Sequence, residues 1–125
     1  MDKPTPSVKL LKSELSKAKD NALVIGFFQD KLRLSAEIKK LDNGFSGIVS
    51  SCIKNKDFKG EKGELKNIYT NKSIKNIVLA GLGEQDKYNF DILSSAIADA
   101  SKRLRDNGTE NFSIYLDSFN NGRFK

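Results

Sequence analysis

Ile77-Val78-Leu79-Ala80-Gly81-Leu82-Gly83-Glu84-Gln85-Asp86-Lys87-Tyr88, IVLAGLGEQDKY, is an apolar run that breaks into a glycine pair. Asn76 to Gly81 reads as a strand buried on both faces. A glycine turn and then a helix follow. Many phosphate-binding loops begin this way, so the turn either holds a nucleotide or only turns a corner. A dinucleotide fingerprint needs G-x-G-x-x-G at the start of a helix. Gly81 and Gly83 fit, but Asp86 stands at the third position and would repel a phosphate. The helix starts only near Asn89, so its amides are not delivered at the glycines. No G-K-[ST] follows, which excludes a P-loop. The favoured reading is tight backbone geometry where a buried strand leaves its sheet.

The flanking segments extend the pattern. The clearest helix runs from about Asn89 to Asn107. Asn89 caps it, and Asp91 suits its positive end. Leu93, Ala96, Ile97, Ala100 and Leu104 form the stripe that packs on a sheet, and Gly108 stops it. Asn111 to Leu116, NFSIYL, is the next strand, followed by a polar tail, Asp117 to Lys125. Upstream, Ala22 to Phe28, ALVIGFF, is another strand buried on both faces, and Ser7 to Leu11 alternates weakly as a first strand. Lys12 to Asn21 reads as loop or a short helical turn. Ser35 is an N-cap for a helix that Asn43-Gly44 ends, since both residues tolerate positive φ. A second helix follows from Phe45 or Ser46 to Lys54. Asp57 to Gly63, DFKGEKG, is a glycine-punctuated loop, and Glu64 to Thr70 a modest strand. Strands alternating with helices predict an α/β fold, a mixed sheet flanked by helices.

The chain has 125 residues, which fits a single domain spanning 1–125. No apolar segment is long enough for a membrane span, and the charged N-terminus lacks a signal peptide's apolar core. The one cysteine, Cys52, falls in an apolar helical pattern and reads as a buried, inert thiol. A reducing, cytoplasmic setting is expected. The net charge is +6, carried mostly by scattered lysines. A solvated lysine-rich surface is favoured over a dedicated nucleic-acid face.

Catalytic patterns are missing. The chain contains no His, which removes the Ser-His-Asp triad, the HExxH metal site and Cys/His zinc sites. Asp42, Asp57, Glu61, Glu64 and Asp86 lie on polar segments, where solvation is the usual role. Phe27, Phe28, Phe90, Phe112 and Tyr115 lie in apolar runs, which favours core positions over a base-stacking platform.

Taken in order, these segments resemble the N-terminal, non-catalytic domain of the leucyl (cytosol) aminopeptidases. The matching residues are the strand Ala22–Phe28 after Asp20-Asn21, the helix start Leu34-Ser35 ending in Leu41-Asp42, and Gly47-Ile48 to Ile53-Lys54. The stretches DFKGEKGE, Asp57 to Glu64, and Ile77 to Gly83 complete the set. The resemblance implies a three-layer, macro-domain-like α/β domain that precedes a C-terminal catalytic domain, with 117–125 leading toward it. In that family the catalytic domain removes N-terminal residues from peptides with a pair of divalent metals (zinc, manganese or magnesium). Its signature N-T-D-A-E-G-R-L is absent here, so no catalytic, cofactor-binding or metal residue carries over, and this chain alone is expected to be inactive. The resemblance further implies a role in building a hexamer and, in some bacterial members, DNA binding. The nearest phosphate-contact candidates are Lys102, Arg103 and Arg105, for which a solvated, dipole-matched helix end is the favoured reading. The alternative functions are a macro-type module binding ADP-ribose-like nucleotides, or a DNA-binding regulatory domain.

Overall fold

The computed structural model describes residues 7–11 and 21–120. The expected Lys12–Asn21 loop, apart from Asn21, lies outside these residues, as does the tail beyond Asn120. Five strands form one sheet: β1 (Ser7–Leu11), β2 (Ala22–Phe27), β3 (Leu65–Tyr69), β4 (Asn76–Gly81) and β5 (Asn111–Tyr115). Their spatial order is β1-β5-β2-β4-β3. β1, β5, β2 and β4 run parallel, and β3 closes the edge antiparallel to β4. The helices are α1 (Ala36–Gly44), α2 (Ile48–Lys54) and α3 (Phe90–Asp106).

Topology places the helices. The chain leaves β2 through α1 and α2 to the edge strand β3, turns back into β4, then returns across β2 to β5 through α3. Right-handed crossovers in opposite directions put their helices on opposite faces of the sheet. The packing agrees. Leu23, Ile25, Phe27, Ile77 and Leu79 meet Ile38, Phe45, Val49 and Cys52 on one face. The intervening Val24, Val78, Ala80, Phe112 and Ile114 meet Ala96, Ala100 and Leu104 of α3 on the other. β2 and β4 are buried at every position, as continuous apolar runs in a parallel sheet require. The mixed α/β, three-layer expectation holds.

Several local expectations are corrected. The left-handed step ending α1 falls at Ser46 (φ 61°) and Gly47 (φ 72°), past Asn43-Gly44, which stay helical. α2 therefore begins at Ile48 rather than at Phe45 or Ser46. The physical reason is Asp42, expected in solvent but 3 % exposed. Its carboxylate accepts from Val49 N–H at 2.7 Å and from Ser50 N–H at 3.4 Å, capping α2 from the last turn of α1. The residues from Asp117 to Asn120 are not merely a polar tail. Leu116–Phe119 forms a 3-10 turn whose Phe119 is buried, with its carbonyl accepting from the Tyr88 hydroxyl at 2.6 Å. Phe90 is 65 % exposed rather than in the core, because it opens α3 one turn ahead of the stripe that reaches the sheet.

Candidate functional site

The glycine turn is a seam. Gly81 N–H donates to the Glu64 carbonyl at 2.7 Å, Leu82 N–H to Phe27 at 2.9 Å and Gly83 N–H to Gly60 at 3.0 Å. Beyond them, Gln85 N–H donates to the Asp30 carboxylate at 3.2 Å, and Tyr88 N–H to the Gln85 carbonyl at 3.2 Å. The N–H groups of Gly81, Leu82, Gly83 and Gln85, which a phosphate cradle here would draw on, are thus engaged with the protein itself. The turn is also closed sterically, since a Cβ on Gly81 would lie 2.0 Å from the Glu61 carbonyl oxygen. Gly83 takes φ 78°, a left-handed conformation that glycine adopts without cost. The turn therefore joins the ends of β2 and β4 to the loop 57–64.

That loop is DFKGEKGE, and its residues serve the same seam. Phe58 is fully buried, edge-on to Phe27 at 5.9 Å between ring centroids. The Glu64 carboxylate, expected in solvent, accepts from Lys59 N–H at 3.0 Å and from Glu61 N–H at 3.1 Å. These two bonds hold the loop in a tight hook. Asp57, Glu61 and Asp86 do face solvent.

The basic cluster divides. Arg103 reaches across to β3, donating to the Asn67 side-chain oxygen at 2.9 Å and the Leu65 carbonyl at 3.3 Å. Arg105 lies 4.0 Å from Asp106, while Lys102 is exposed beside a shallow cleft of about 510 Å³. Arg103 thus fastens α3 to the sheet edge.

Two further clefts lie at the carboxyl ends of the parallel strands, where open α/β sheets take ligands. One, of about 680 Å³, runs along the first turns of α3 over Gly81–Glu84. The other, of about 350 Å³, opens over the ends of β2 and β5. Phe28 and Ile38 line it with Lys31, Arg33, Ser35 and Asp117. Beneath it, the Tyr115 hydroxyl hydrogen-bonds to Ser35. Burial, with the Asp117 and Glu37 carboxylates nearby, pushes that phenol above its usual range. At its base Ser118 Oγ accepts from Gly26 N–H at 2.8 Å and donates to the Tyr115 carbonyl at 2.7 Å. The sequence reading missed Lys31, Arg33 and Asp117. Their signal was position: both segments directly follow buried parallel strands.

Cys52 is buried, and its thiol is raised above the usual range by that burial. Among the described residues no three His, Cys, Asp or Glu side chains are grouped to hold a metal ion. No described helix is long and apolar enough to cross a membrane.

The family profile described as the cytosol aminopeptidase family, N-terminal domain, matches residues 24–125. A probable cytosol aminopeptidase of Synechocystis sp. is 31 % identical over 80 residues, covering 62 % of this chain and 16 % of the relative. One of Cyanothece sp. is 29 % identical over 101 residues, covering 79 % and 20 %. The chain thus spans 16–20 % of the length of these relatives. Among solved structures, a mutant tomato leucine aminopeptidase superposes with a TM-score of 0.71 at 19 % identity, over 91 % of this chain and 23 % of that one. The macrodomain of Mycobacterium tuberculosis DarG superposes with a TM-score of 0.69 at 11 % identity, over 96 % and 82 %. These likenesses show the shared fold. On the profile match, the chain belongs to the cytosol aminopeptidase family, as its N-terminal domain.

Proposed function

We propose that this chain serves as the accessory and assembly domain of a cytoplasmic leucyl aminopeptidase, joined in the complete protein to a C-terminal catalytic domain. The catalytic domain would hold the divalent metal pair, manganese or zinc, and cleave the N-terminal residue from peptides. The carrying observation is the family match over 24–125 together with a span of only 16–20 % of the relatives' length. The remaining four fifths is where the chemistry belongs. The domain's own architecture supports this division. Its motif stretches, DFKGEKGE and IVLAGLG, close a structural seam rather than expose reactive groups. The macro-type nucleotide alternative rests on fold alone, and the Gly81, Leu82 and Gly83 amides of the glycine turn are engaged with the protein.

Assembly is tested by sedimentation of the complete protein with and without this 125-residue segment. A hexamer that falls to smaller species on deletion supports the role. An unchanged hexamer removes the assembly role.

A further inference from the structure

The cleft over β2 and β5 has features the accessory role does not use. Two cations, Lys31 and Arg33, line it, and neither is ion-paired among the described residues. Asp117 lines the same cleft without an ion-pair partner among the described residues. Its charge, with that of Glu37, reaches the Tyr115 hydroxyl. The cleft thus carries two cations and a carboxylate that are not paired with one another among the described residues. Between them lie apolar walls, Phe27, Phe28 and Ile38, each less than 9 % exposed. Its volume of about 350 Å³ is near the lower end of the roughly 300–1,000 Å³ typical of small-ligand sites. It opens where α/β sheets take their ligands.

We infer that this cleft binds a free α-amino acid with an apolar side chain. The ligand's carboxylate would face Lys31 and Arg33, its ammonium would face Asp117, and its side chain would rest on Phe28 and Ile38. A guanidinium and a carboxylate form strong charge-assisted bonds, which gives Arg33 the larger share at the anionic end. A phosphate compound would meet Asp117 unfavourably, and a simple amine would leave both cations unanswered. An apolar amino acid is also what the proposed parent enzyme releases, so the inference deepens that reading and makes the cleft a product-sensing site.

The test is calorimetric titration of this chain with L-leucine, N-acetyl-leucine, leucine amide and inorganic phosphate. Saturable binding of leucine is expected in the millimolar range. Each derivative lacks one charge and should bind at least tenfold more weakly, about 1.4 kcal/mol. Arg33→Gln and Asp117→Asn should each weaken leucine by a similar factor. Both side chains are exposed, so their melting temperatures should match the parent chain. Absence of saturable leucine binding, or equal binding of phosphate or of either derivative, overturns the inference. Peptidase activity of the complete protein is measured separately. Its presence without leucine binding here would sink the cleft assignment and leave the aminopeptidase reading standing.

Discussion

Replacing Gly81 by alanine tests whether the glycine turn is a structural seam. The new Cβ would sit 2.0 Å from the Glu61 carbonyl oxygen, 2.8 Å from the Gly60 carbonyl carbon and 2.9 Å from that of Glu61. All three are backbone atoms, so no side chain can swing away. The loop must withdraw from β4. Three bonds across the seam are then broken or stretched: Gly81 to Glu64 (2.7 Å), Gly63 to Gly81 (3.3 Å) and Gly83 to Gly60 (3.0 Å). At about 0.5–1.5 kcal/mol each, the loss is roughly 1.5–4.5 kcal/mol. That is a large part of the roughly 5–15 kcal/mol typical of a whole domain. Urea denaturation should show the midpoint falling by about 1–2 M. Gly44→Ala is the matched control. Gly44 lies in α1 with nothing within 4 Å of a Cβ and no positive φ, so alanine there should stabilise by about 0.5–1 kcal/mol. If Gly81→Ala unfolded at the same urea concentration as the parent chain, the seam argument would be refuted.

Other outcomes follow from the same geometry. Asp42→Ala should cost about 1–2 kcal/mol by uncapping α2, and Asp42→Asn less, since one acceptor oxygen remains; thermal melting separates the two. Phe58→Ala should cost about 3–5 kcal/mol, read by urea denaturation, because the ring is fully buried against Phe27. Burial holds the Tyr88 phenol well above its ordinary range, so the folded state keeps a proton that the unfolded chain releases. The contribution is therefore full below about pH 10 and declines as pH rises above it. Tyr88→Phe should flatten that alkaline decline in a pH series of melting curves, while losing about 1 kcal/mol at neutral pH with the bond to Phe119. Arg103→Ala should lower the melting temperature and Lys102→Ala should not, because only Arg103 reaches β3.

Much of the fold was legible because burial on both faces leaves a plain mark. ALVIGF and NIVLAG are continuous apolar runs, and both are interior parallel strands. α3 was equally plain, since its Asn89 cap and its 3.6-residue stripe agree with each other. The α1–α2 junction was less so. Whether Asn43-Gly44 or Ser46-Gly47 takes the left-handed step depends on Asp42, whose donor partners lie seven and eight residues ahead. Local propensity gives an aspartate in a polar stretch no reason to be buried. Asp117–Phe119 was misread for a related cause, because its role comes from segments that meet only when the sheet forms, such as Phe119 with Tyr88. Glu64 was misread although its partners, Lys59 and Glu61, are local, because a loop carboxylate shows no sign in sequence of folding back on its own backbone. The cleft residues were hidden as Asp117–Phe119 was, because Arg33 and Asp117 are 84 positions apart and share a site only through the pairing of β2 with β5.

The most direct test of the accessory-domain account is hydrolysis of a leucine anilide with added manganese. It is run on this chain alone and on the chain continued through the region found in its longer relatives. The account predicts turnover by the continued chain and none by the 125-residue chain. Turnover by the 125-residue chain would contradict it, and so would a folded continued chain with no activity.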